Sequence, residues 1–302
     1  MTSPKHAKAS PIGRYYTRPG TGEQLVSVTN VLSVGCAKPA LVPWAAKVAA
    51  EYALNHLPQI VVQSRTDRDG AIRSIKGEVT VSRDKAADLG TRIHALAEAH
   101  LTGRPTAPDE EAAPYIKQYE AFLADYEVDL DRDIEAAELT VAHPLRGWAG
   151  TLDLLIRLPL DGFIDGNVRR LPDGERGLFL VDLKTSATRP AASVYGEYAL
   201  QLTALRSAVE CWLPTDEIVP MPRGIVGTAC LNLRQNTYEL IPLPSGNAEL
   251  EAWHGCLALT KWMHSTGGEI SKGEYRPIDP NGKFKVKATR AKKTPATPRK
   301  AA

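Results

Sequence analysis

The stretch GLFLVDLKTS, residues 177–186, places an acid and a base two positions apart at the end of an apolar run. Charged side chains rarely enter a buried strand unless they are paired or hold a metal. Side chains alternate faces along a strand, so Leu178, Leu180, Asp182 and Lys184 share one face and Phe179, Val181 and Leu183 the other. Upstream, Asp153 interrupts a second apolar run, GWAGTLDLLIRLP at 147–159. If the two runs pair antiparallel with Leu158 opposite Gly177, Asp153 stands opposite Asp182. Directly opposed residues have Cβ atoms ~4.5–5.5 Å apart. Two carboxylates at that spacing repel, and burial worsens the conflict. A divalent cation resolves it, and hard oxygen ligands suit Mg²⁺ or Mn²⁺. Lys184, on the face of Asp182, can then orient a water or stabilise charge developing on a phosphorus. The simpler alternative is that Asp182 and Lys184 only mark where the strand surfaces.

These residues need a sheet and flanking helices to position them. Apolar spacing predicts helices at 43–57, with Pro43 near the first turn, and at 82–103, with Ser82 as N-cap and Gly103 as stop. A third helix is expected at 109–126, acidic in its first turn, and others at 193–213 and 247–265. Strands are expected at 134–144, 147–159 and 177–184, with a hairpin of 224–233 and 237–243 around Arg234-Gln235-Asn236. Residues 24–32 read as a short strand or a helix entry, and 58–77 stay unassigned apart from a turn at TDRDG. This order gives an α/β (α+β) fold with a mixed sheet. The expected organisation is a flexible N-terminus at 1–24, a single domain at 25–282 and a disordered basic tail at 283–302.

Composition narrows the function. A hydrophobic fraction of 43% and a charged fraction of 24% belong to an ordinary globular chain able to bury a core. No apolar run approaches the ~20 residues of a membrane span. The first residues lack an apolar signal core, so a cytoplasmic protein with no membrane partner is expected. No GxxxxGK[ST] loop is present, which argues against ATP as a cofactor. Cys36, Cys211, Cys230 and Cys256 are widely spaced with no CxxC, which argues against a structural zinc or an iron–sulfur cluster. The net charge of +2 hides an asymmetry: residues 283–302 take eight of the 37 basic side chains, leaving 29 against 35 acids. A basic tail on an acidic body suits a polyanion, with nucleic acid the obvious candidate, although a solvated tail has the same composition.

Two further residues complete a pattern. GTRIHALAE places His94 inside a helix ahead of the strands, and YALQLTAL places Gln201 in the helix that follows them. The order GTRIH (90–94), GTLD (150–153), VDLKTS (181–186) and LQL (200–202) resembles the PD-(D/E)xK nuclease superfamily. Within it, the chain is similar to the RecB-type exonucleases, which include CRISPR-associated exonucleases and many bacteriophage recombination nucleases. The entry segment SVTNVL…KPALVPWAAK adds to this, and the resemblance covers roughly residues 25–210.

The resemblance implies a restriction-endonuclease-like core, a central mixed sheet flanked by helices. It implies a metal held by His94, Asp153, Asp182 and the Leu183 carbonyl, with Lys184 as the catalytic lysine and Gln201 near the lysine or the DNA. Glu138 matches a strand acid common in the group. Glu98, one turn after His94, is a candidate outer partner of the metal site. The group's tyrosine four residues after the glutamine is Leu205 here; Tyr198, one turn the other way, is the candidate substitute. Arg169, Arg170, Arg176, Lys292 and Lys293 are candidate phosphate contacts.

The expected function is a Mg²⁺- or Mn²⁺-dependent DNA exonuclease acting in phage or bacterial recombination or repair. DNA is its expected partner, and the resemblance implies a single-strand annealing or recombination protein beside it. The alternatives are a structure-specific endonuclease on the same core, an inactive DNA-binding adaptor, and a purely structural α/β protein.

Overall fold

The apolar runs around Asp153 and Asp182 form neighbouring strands of a mixed sheet in the computed structural model, which describes residues 5–271 except 11–12 and 163–167, together with 280, 281 and 283. Along the chain come β1 (Ala7–Ser10), β2 (Gly13–Thr17), β3 (Gln24–Ser27), α1 (Val28–Gly35), α2 (Leu41–Asn55), α3 (Leu57–Thr66), α4 (Arg68–Leu101), α5 (Ala113–Asp125) and α6 (Leu130–Asp133). Then follow β4 (Ile134–His143), β5 (Trp148–Leu158), β6 (Gly177–Thr185), α7 (Gly196–Arg206), β7 (Glu210–Trp212) and β8 (Ile218–Pro220). The last elements are β9 (Ile225–Leu233), β10 (Tyr238–Leu243), α8 (Asn247–His264) and α9 (Thr266–Ser271). The fold is mixed α/β, with a central sheet between helices.

β5 and β6 pair antiparallel from Leu158 opposite Gly177 to Leu154 opposite Val181, the register considered from the sequence. β6 continues against β9 in parallel, with Asp182 beside Cys230 and Lys184 beside Asn232. β4 lies antiparallel along one edge of β5 from Ile134 to His143. The other edge of β5 is shared. β3 pairs there in parallel with Trp148 and Ala149, β6 begins only at Leu154, and residues 150–153 between them carry no strand partner on that side.

Two apolar layers cover the sheet. Ile93 and Ala97 of α4 and Tyr115, Tyr119 and Phe122 of α5 pack with Ile156, Leu158, Phe179, Val181, Leu183 and Leu231. Val28 and Val31 of α1, Leu202 and Leu205 of α7, and Trp253 and Leu257 of α8 pack with Leu155, Leu178, Leu180 and Cys230. The alternation breaks at one level. Ala137 and Leu139 belong to opposite layers although two residues apart, and so do Leu152 and Leu154. Between them lie Glu138, at φ +48°, and Asp153. An uninterrupted strand puts residues two apart on one face, so the backbone twists sharply where the acids sit.

Several local expectations are corrected. Residues 7–10 and 13–17, expected as part of a loose N-terminus, form the antiparallel strands β1 and β2, which join the sheet edge and bury Tyr16. Residues 24–32 are a strand and then a helix. Ser82 is not an N-cap: α4 starts at Arg68, capped by Asp67, whose Oδ1 accepts from Gly70 N at 2.8 Å. Ser82 instead donates to Glu78 from inside the helix. Gly103, at φ +61°, stands just beyond its end. The acids at 109–111 precede α5 instead of forming its first turn, and Asp109 ties to Arg92 of α4. The helix expected at 193–213 covers only 196–206. The chain then turns so that Cys211 and Trp212 are buried in β7 beside β4, a tertiary gain that overrides helical periodicity.

The chain divides into two units, Met1–Leu257, which holds the sheet, and Ala258–Ala302. In the second, the described residues are mainly the end of α8 and α9, where Gly267 lies against Trp262 and Met263. Of the basic tail, only Lys283 is among the described residues. No described helix is long and apolar enough to cross a membrane.

Gly150 sits where α1 and α7 press on the unpartnered stretch of β5. A Cβ there would lie 2.7 Å from Leu205 Cδ2 and 3.0 Å from Val28 Cγ2. Gly150→Ala should therefore cost about 1–3 kcal/mol in urea unfolding, as overpacking does. An unchanged midpoint would show that α7 does not need this close approach.

Candidate metal centre

The twisted level of the sheet is the floor of a cleft of about 860 Å³. Ser27, Val28, Gly90, His94, Glu98, Glu138, Gly150, Asp153, Asp182, Lys184, Gln201 and Leu205 all line it. Seven elements supply them: α4 from one side, α7 from the other, β4, β5 and β6 beneath, and the junction of β3 and α1, which adds Ser27 and Val28. Gly90 lets α4 pass close to the end of β6, since a Cβ there would meet Thr185 Oγ1 at 3.3 Å.

His94, Glu138 and Asp153 form the tightest group, each offering a ligand atom within 4.8 Å of the others. His94 Nδ1 lies 3.3 Å from Glu138 Oε1 and 3.6 Å from Asp153 Oδ1. Its Nε2 lies 3.1 Å from the Leu183 carbonyl oxygen. A carbonyl only accepts, so Nε2 carries a proton. Without a cation, a bare Nδ1 would point its lone pair at two carboxylates, so Nδ1 is protonated as well. Burial opposes that charge, but Asp153 and Glu138 outweigh it and push the imidazole up to about 9. The second oxygen of Asp153 accepts the Leu183 amide at 2.7 Å. Asp153 thus occupies a backbone position where the β5–β6 ladder ends.

Asp182 is buried in the same cleft, and its two oxygens meet other partners. Its Oδ1 accepts from Gln201 Nε2 at 2.7 Å, and its Oδ2 pairs with the Lys184 ammonium. Lys184 also donates to Gln201 Oε1 at 3.4 Å and stands 5.0 Å from the centre of the Tyr198 ring. Burial raises Asp182 to about 6; Lys184 opposes the shift and Asp153 adds to it. Asp153 is also raised, first by burial, with His94 opposing and Glu138 adding. Burial disfavours the Lys184 charge, yet Asp182 and Asp153 overcome this and hold it above the ordinary lysine range. Lys184 is therefore an ammonium at neutral pH, suited to donate and not to take a proton.

His94, Glu138, Asp153, Asp182, Lys184 and Gln201 thus meet in one cleft, and the Leu183 carbonyl faces it through His94. Glu138 belongs to the innermost group and not to its margin. Glu98 lines the cleft but pairs with Arg104 at 3.0 Å. The candidate phosphate contacts do not gather here. Arg176 caps the buried Asp133 at 3.3 Å and donates to the carbonyls of Tyr126 and Glu127. Arg170 pairs with Glu127, and Arg169 is exposed. Arg176 immediately precedes Gly177, and Gly177 is five strand residues, roughly 17 Å, from Asp182. Lys292 and Lys293 lie outside the described residues.

The sequence reading missed Arg14 and Tyr16, which also line the cleft; Tyr16 OH is 2.9 Å from Thr151 Oγ1. The alternation in GRYYT was the available signal. No protein-family model matches the chain, and no curated protein sequence matches it.

One imidazole and several carboxylate oxygens are a donor set for a hard divalent cation. Without a cation, His94 (about 9 against an ordinary 6.5) and Asp182 (about 6 against 3.8) both bind protons more tightly folded than unfolded. The stability they contribute is full at low pH. It falls as pH rises through about 6 for Asp182 and about 9 for His94. A bound cation replaces those protons. The rise in Tm produced by Mn²⁺ or Mg²⁺ should therefore be small near about pH 5.5 and larger near about pH 8.5. Equal shifts at both would exclude metal–proton exchange at this site.

Proposed function

We propose that the chain is a metal-dependent deoxyribonuclease, an exonuclease on a restriction-endonuclease-like core of the PD-(D/E)xK type. The observation that carries this reading is the placement of Asp153, Asp182 and Lys184 in one cleft, with His94 and Glu138 against Asp153. A divalent cation held by His94, Glu138 and Asp153, with Asp182 alongside, would supply Lewis acidity and an activated water.

The chain's own residues do the rest. Lys184, cationic and fixed between Asp182 and Gln201, offers its ammonium to the charge that develops on a phosphoryl oxygen. Gln201 holds both members of the Asp182–Lys184 pair, so it sets their geometry. Leu205 packs against Gly150 and fixes the height of α7 over the sheet, so the position taken by a tyrosine in the resembling group serves packing here. A strand-annealing or recombination protein is the proposed partner of such an exonuclease.

End-labelled linear DNA, single- and double-stranded, and closed circles should be incubated with Mg²⁺, Mn²⁺ or chelator, beside Lys184→Ala. Metal-dependent loss of linear DNA alone is expected. Lys184→Ala should lower the rate by about 10²–10³-fold while keeping a cooperative thermal melt. Cutting of circles would replace the exonuclease by an endonuclease. No cutting by folded wild-type protein would leave a DNA-binding adaptor.

A further inference from the structure

A row of rings and cations leads away from Lys184. Its ammonium stands 5.0 Å from the Tyr198 ring centre. Tyr198 meets Tyr195 edge to face at 5.5 Å. The Arg189 guanidinium lies 3.8 Å from the Tyr195 ring centre. Arg189, Tyr195 and Tyr198 are all partly exposed. Arg189 has no carboxylate partner among the described residues, unlike Arg92, Arg170 and Arg176.

This row is not what holds its loop in place. Two buried side chains of β9 and its end already do so. Asn232 Nδ2 donates to the carbonyls of Ala191 and Ser193 at 2.5 and 2.9 Å. Arg234 donates to those of Arg189 and Pro190 at 2.7 and 3.1 Å, and to those of Lys184 and Leu233 at 3.4 and 2.7 Å. Arg234, buried with no acid beside it among the described residues and spending its donors on main-chain carbonyls, fixes the loop beside the end of β6. The Arg189–Tyr195 stack is surplus to that anchoring, and it presents an aromatic platform with an unneutralised cation at the margin of the candidate site.

Aromatic rings and arginine planes stack nucleobases without regard to sequence, and a base reaches such a platform only when it is unpaired. Resting on the nuclease reading above, we propose that Arg189, Tyr195 and Tyr198 form a track for single-stranded DNA. The track stacks a base next to the scissile phosphate while Arg189 meets the adjoining phosphate. The substrate at the site is then an unpaired strand, either single-stranded DNA or a frayed end.

The test is binding of a fluorescent oligothymidine and of a blunt, closed-hairpin duplex to the full-length protein in chelator, read by anisotropy. Tyr195→Ala should weaken oligothymidine binding by roughly 5–150-fold, the range for one lost stacked base. Tyr195→Phe should retain wild-type affinity, and duplex binding should change by less than about twofold. The Phe variant guards against a folding artefact, because it keeps the ring and loses only the hydroxyl. Wild-type affinity in Tyr195→Ala, or equal losses on both DNAs, would overturn the track and leave the nuclease reading standing. A wild-type protein that binds neither DNA would overturn both.

Discussion

Negative charge is crowded where three strands meet, and the rest of the cleft is arranged to relieve it. Glu138, Asp153 and Asp182 come from adjacent β4, β5 and β6. Burial raises both aspartates, and the charge of Asp153 adds to the shift on Asp182. Buried carboxylates at close quarters are tolerated only when countered. Here two cations divide the work. His94 faces Glu138 and Asp153, while Lys184 faces Asp182. Without a cation the centre is balanced by protons and ammonium; with one, the imidazolium proton becomes dispensable.

The surrounding architecture follows from that crowding. β3 and β6 share one edge of β5 and leave a gap, and the gap opens the cleft to helices on both faces. α4 delivers His94 through a close passage at Gly90, and α7 delivers Gln201 through a close approach over Gly150. Both glycines belong to short strings, GTRIH and GTLD, that also carry a charged or titratable residue. The same segment supplies the side chain and the clearance that lets it reach. The positive φ of Glu138 is a strained conformation for a residue other than glycine, and it turns the carboxylate toward His94.

Much of this could be read from the sequence, and the reason is periodicity. The β5–β6 register was one supposition among those open to two apolar runs that each held one acid, and the pairing of Leu158 with Gly177 agrees with it. The face shared by Asp182 and Lys184 followed from the alternation of side chains along a strand. What escaped had no local signal. Ser82 resembles an N-cap, yet α4 runs through it, and α2 and α3 pack against that longer helix. Trp212 continues a helical pattern, yet it is buried in a strand beside β4. Arg176 reads as a free basic residue until the buried Asp133 appears beside it. The place of Glu138 in the innermost group depends on a backbone twist that no residue type announces.

The central claim is that His94, Glu138 and Asp153, with Asp182 alongside, hold one divalent cation beside Lys184. The most direct measurement is Mn²⁺ binding to the full-length chain at mildly alkaline pH, followed by loss of the free-ion electron paramagnetic resonance signal. Wild-type protein should take up one tightly held ion per chain. Asp153→Asn, close in shape but uncharged, should lose it while keeping a cooperative melt. An unchanged uptake in Asp153→Asn, or none in the wild type, would contradict the account.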